Sequence, residues 1–82
     1  MNEEQQILYM QTRLIRMAAE KWNISMDKAA RIFSQYDALN YIAECFDIFH
    51  VQGDEENLAD IEQYIRRNEV STKDGSNERF NS

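Results

Sequence analysis

Apolar residues recur along the first third of the chain at Ile7, Leu8, Met10, Leu14, Ile15, Met17, Ala18 and Trp22. Spacings of three, four and seven place them on one wide face, which predicts an amphipathic helix from Glu4 to Trp22. The segment Asn23-Ile24-Ser25 interrupts that pattern. Ser25 is placed to cap a second helix, with Asp27 in its first turn, where the helix dipole favours an anion. Met26, Ala29, Ala30, Ile32 and Phe33 are its packing residues, and it ends near Gln35 or Tyr36. Asp37 is the next capping candidate. A third helix follows with a buried stripe of Leu39, Ile42, Phe46 and Phe49, flanked by Tyr41, Cys45 and Ile48. So much apolar surface marks it as the central helix.

Gly53 fits a left-handed helix end, and Asp54 then caps a fourth helix with Glu55 and Glu56 in its first turn. Leu58, Ile61 and Ile65 give that helix its buried side, with Tyr64 at the edge and Arg66 and Arg67 in the last turn. Beyond Val70 the sequence STKDGSNERFNS is nearly devoid of apolar residues. Such composition cannot offset the entropy of ordering, and a disordered tail is expected over residues 71–82. There is no proline, and the two glycines, Gly53 and Gly75, lie at expected helix ends. The expected fold is all-α: a compact bundle of about four short helices over residues 1–70, joined by short turns.

Composition narrows the function. Eighty-two residues with 43% hydrophobic content suffice for one small domain with a thin core. One cysteine permits no internal disulfide and fits a reducing compartment. The opening MNEEQQILYM lacks the basic region of a signal peptide, and no apolar run approaches the roughly 20 residues that span a bilayer. A cytoplasmic protein with no membrane association is expected.

The net charge of -6 is unevenly spread. Residues 1–31 carry Arg13, Arg16, Lys21, Lys28 and Arg31 against four acids. Residues 32–65 carry Asp37, Glu44, Asp47, Asp54, Glu55, Glu56, Asp60 and Glu62, with no Lys or Arg. That half would repel phosphate backbones and could steer a basic partner. The simpler alternative is a solvated surface that maintains solubility.

The stretch CFDIFHVQGDEE, residues 45–56, gathers the sole cysteine, the sole histidine and the densest acids. It nevertheless makes a poor catalytic site. Five residues of helix separate Cys45 from His50, a rotation that leaves them about 140° apart, so no local thiol–imidazole dyad forms. Cys45 reads instead as a small buried hydrophobe. Asp47 and His50 share a face, but one histidine with carboxylates is a weak match to zinc sites. As an alternative, His50 closes its helix by meeting the last carbonyls, with Asp47 one turn back. Direct DNA reading is disfavoured because the segment from Leu39 to Phe49 carries Glu44 and Asp47 and no cation. Calcium-loop and glycine-rich phosphate-loop patterns are absent, and no cofactor is expected.

From Ile24 to Ile65 the chain resembles a family of short, uncharacterised helical bacterial proteins common in gut Firmicutes. The likeness rests on Ile24-Ser25, Phe33, Tyr36, Tyr41-Ile42, Asp60-Ile61 and Tyr64-Ile65. Its most specific part is Asp47-x-x-His50-x-x-Gly53, preceded by Phe46 where members often have tyrosine. The resemblance implies a helical domain without established activity. It also implies genes often neighbouring those of ADP-ribosyltransferase-like proteins, an arrangement similar to toxin–antitoxin or effector–accessory pairs.

Together these readings lead to a non-enzymatic interaction protein, antitoxin-like or accessory. It is expected to bind a basic, toxin-like protein partner through Glu44, Asp47, His50, Asp54, Glu55, Glu56, Asp60 and Glu62. The alternative is an inhibitor that mimics nucleic acid. A small enzyme or metal protein centred on Asp47 and His50 ranks below both. A thin domain also gains core by pairing, so a homodimer is a further expectation.

Overall fold

A computed structural model describes residues 2–81, with side chains described for residues 2–69. The expected tail over 71–82 lies outside the residues described with side chains. Among the described residues the fold is entirely helical: α1 (Glu3–Trp22), α2 (Met26–Gln35), α3 (Ala38–Glu44), α4 (Phe46–Val51) and α5 (Asp54–Asn81). The core forms where α1, α2, α3 and α5 meet, with Phe46 and Phe49 of α4 closing it. Leu14, Phe33, Ile42, Phe49 and Ile61 are its largest fully buried apolar side chains.

α1 starts with a reciprocal cap that its hydrophobic pattern does not reveal. The Gln5 amide donates to Asn2 Oδ1 at 2.8 Å, and the Asn2 amide donates to Gln5 Oε1 at 3.3 Å. It ends at Asn23, whose left-handed backbone (φ 58°) lets the Ile24 amide reach back to the Ala19 carbonyl at 3.0 Å. Ser25 caps α2 as expected, accepting from the Lys28 amide at 3.0 Å.

The predicted third helix is two helices. It breaks at Cys45, whose backbone (φ -101°, ψ 18°) leaves helical geometry between α3 and α4. Apolar periodicity cannot register this break, because Ala38, Ile42, Phe46 and Phe49 stay buried on one continuous face across it. Ala38 takes a buried place expected for Leu39, which is half-buried, and Ile48 faces solvent.

Two expected helix ends are also revised. Asp37 does occupy the position before α3, but it is left-handed (φ 63°) and its side chain caps nothing. It closes α2 more than it opens α3, its amide donating back to the Ser34 carbonyl at 3.2 Å. Gly53 is not left-handed. Its carbonyl accepts from the Asn57 amide at 3.0 Å, so Gly53 precedes α5 and Asp54 is the first helical residue rather than the cap. α5 continues past Arg66 and Arg67, which therefore do not form its last turn.

Short helices leave their last carbonyls unsatisfied, and side-chain amides fill that need at the ends of α4 and α2 while a third amide braces the start of α3. Gln11 donates to the Leu39 carbonyl at 2.8 Å, Asn57 to Phe49 at 2.9 Å and Asn68 to Tyr36 at 2.8 Å. α1 is thereby tied to α3, α5 to α4, and α5 to the end of α2. No helix among the described residues is long and apolar enough to cross a membrane.

Candidate functional site

The eight candidate residues separate by what holds them. Glu62 is taken up by α1: Lys21 Nζ lies 3.0 Å from Oε1 and Trp22 donates to Oε2 at 2.7 Å. Its side chain is only 17% exposed. Burial pushes its pKa up, but the Trp22 and Lys21 hydrogen bonds, with the charges of Lys21 and Arg66, outweigh burial and hold it below the ordinary value. Asp54 is likewise engaged with α1, its Oδ1 lying 3.0 Å from Arg13 Nη2. Asp60 is half-buried on α5.

The remaining acids face water. Glu44 is exposed at the end of α3 and accepts from Asn40 Nδ2 at 3.2 Å. Asp47 on α4 and Glu55 and Glu56 in the first turn of α5 are exposed, and no cation pairs with them among the described residues. Among these acids sit two large apolar side chains that a four-helix count would bury or ignore. Ile48 is 56% exposed and Val51 80% exposed, one turn apart on α4. The turn from α4 into α5 is therefore an acidic corner with an apolar stripe.

His50 lies in the last turn of α4, as expected of a helix-terminal histidine. Its ring packs against Phe46, 5.4 Å between centroids and tilted by 34°. Cys45 is half-buried at the α3–α4 break and packs against the core. Among the described residues no group of three His, Cys, Asp or Glu side chains is placed to hold a metal ion.

The sequence reading missed a cavity between α1 and α4, of about 300 Å³. Its buried side is Met10, Phe46 and Phe49, and Tyr9, His50 and Gln52 stand at its mouth. Gln6 and Arg13 complete the wall, the Arg13 guanidinium lying 5.6 Å from the Tyr9 ring centre. The available signal was Tyr9 with Arg13 one helical turn on, a pair that falls on one side of α1.

Fold and surface together define a small all-α domain with an acidic corner and an adjoining aromatic cavity. The chain belongs to the family described as Protein of unknown function (DUF3791), whose model matches residues 9–68. The match is wider than the Ile24–Ile65 resemblance and takes in α1 from Tyr9, including every residue that lines the cavity except Gln6. No curated protein and no solved structure matches the chain.

Proposed function

We propose that this protein is a non-enzymatic interaction module of the cytoplasm that binds a basic protein partner at the α4–α5 corner. In the arrangement its family resemblance implies, that partner is a toxin-like enzyme and this chain its antitoxin or accessory. The observation that carries the reading is the exposure of Ile48 and Val51 among unpaired acids. Apolar side chains with an acidic surround match the usual anatomy of an interface, where burial supplies affinity and complementary charge supplies steering. The exposed apolar pair also favours a protein partner over the displacement of a nucleic acid.

The test compares wild type with an Asp47→Asn, Glu55→Gln, Glu56→Gln variant as bait in extracts of the native host. Wild type is expected to capture one basic protein stoichiometrically, less so at high salt, and the variant to lose it at unchanged melting temperature. Capture of nothing, with the protein monomeric at high concentration, would overturn the reading. Competition by DNA or RNA for the captured protein would favour nucleic-acid mimicry instead.

A further inference from the structure

We infer that the α1–α4 cavity is a socket for a single uncharged aromatic side chain of the basic partner. This rests on the reading of the α4–α5 corner as the docking surface. The volume, about 300 Å³, is at the bottom of the range for ligand pockets and suits one large side chain rather than a cofactor.

The walls select what enters. An ammonium or guanidinium would meet the Arg13 guanidinium in the wall, and a carboxylate would have to compete with Asp54, which already pairs with Arg13. An uncharged group avoids both. Phe46 and Phe49 offer ring contacts and Met10 a polarizable sulfur, the surroundings that favour an aromatic ring. Gln52 Oε1 is buried and accepts no hydrogen bond. A rotation of that terminal amide would offer the acceptor to an indole N–H or a phenol O–H.

Charge around the socket identifies the rest of the occupant. Asp47 is exposed next to the lining residue Phe46, and Glu3 and Glu4 are exposed at the start of α1, the helix that carries Tyr9; Glu55 and Glu56 lie farther off, on α5. An aromatic anchor flanked by Lys or Arg complements both the socket and its rim. Interfaces commonly concentrate their energy in such buried anchors, with the charged rim governing encounter.

The experiment titrates isotope-labelled full-length protein with two synthetic peptides of Lys and Arg residues, one centred on Trp and one with Ala in its place. The Trp peptide is expected to bind about tenfold more tightly, equivalent to about 1.4 kcal/mol. It should also shift the amide signals of Tyr9, Phe46, His50 and Gln52. Tyr9→Ala, at an exposed position outside the core, should erase the advantage while leaving the Ala peptide's affinity unchanged. Equal affinities with shifts confined to Asp47, Glu55 and Glu56 would overturn the socket and leave the acidic docking surface standing. Failure of both peptides at millimolar concentration would overturn both.

Discussion

Trp22 on α1 donates its indole N–H to Glu62 on α5 across 2.7 Å, and the same carboxylate holds Lys21 through its other oxygen. Farther up, Arg13 pairs with Asp54. Lys21 lies eight residues beyond Arg13, and Glu62 eight beyond Asp54, so the two helices run parallel in a shared register along this edge. Acids that look like part of a free anionic face are therefore what fastens α5 to α1.

Stability should accordingly depend on Glu62 in the acid range. Its folded-state pKa is held below the ordinary value near 4.5. A depressed carboxylate contributes stability that is fully present above its unfolded pKa and is lost as pH falls through the folded one. Glu62→Gln should cost about 1–2 kcal/mol near neutral pH, through loss of charge-assisted hydrogen bonds. The difference from wild type should shrink as pH is lowered from neutral into the acid range below 4.5. Urea denaturation at neutral and at acid pH measures this, and a constant difference would show that Glu62 is not the titrating group.

Arg13–Asp54 should contribute far less, because its side chains are 35% and 39% exposed. A double-mutant cycle with Arg13→Ala and Asp54→Ala is expected to return a coupling of about 0.2–1 kcal/mol that weakens with salt. A coupling several times larger would mean that the pair is desolvated in solution.

Asn57 is fully buried, and its side-chain N–H caps the Phe49 carbonyl at the end of α4. Asn57→Ala should destabilise by about 1–3 kcal/mol, by leaving that carbonyl unsatisfied. Asn57→Asp should be worse at neutral pH, by about 3 kcal/mol or more, since it buries an unpaired charge facing a carbonyl. The gap between the two variants should narrow in acid, where the new carboxyl is protonated and can donate. Thermal melts of both across pH decide it.

The sequence pattern revealed what repeats and concealed what happens once. Leu14, Phe33, Ile61 and Ile65 were legible as core because a helical face recurs every three or four residues. Ser25 was legible because a serine before an apolar-periodic run has one dominant local use. Cys45 was not, since a break that preserves the phase of the buried face leaves no trace in periodicity, and neither proline nor glycine marks it. Asn57 was hidden because its partner, the Phe49 carbonyl, exists only once α4 has ended. The acids on residues 44–62 were legible as a charge asymmetry. Which of them are free was not, because that depends on the register of α5 against α1.

Asp37 tests whether it opens α3 or closes α2. A working N-cap loses about 0.5–2 kcal/mol on replacement by alanine and only a few tenths on replacement by glycine. The left-handed backbone at φ 63° and the absence of a cap hydrogen bond reverse the expectation for glycine. Glycine adopts that conformation without a side-chain penalty, so Asp37→Gly should stabilise by up to about 1 kcal/mol. Chemical denaturation of Asp37→Gly is the measurement, and destabilisation would restore the capping role.

Gly53 separates structure from function at the Asp47-x-x-His50-x-x-Gly53 junction. The sequence supplied a structural reason for the glycine, a left-handed helix end, and the backbone removes it. A Cβ built at this position meets nothing within 4 Å. Gly53→Ala should therefore leave the fold intact and raise stability by about 0.4–1 kcal/mol, by restricting the unfolded chain. If the α4–α5 corner is where the partner docks, the added methyl lies in its path at the turn between Val51 and Glu55. The expected result is thus a variant that melts slightly higher and captures less partner. A variant that melts lower would show that the turn needs glycine after all. One that melts higher and binds normally would place the docking surface away from this turn.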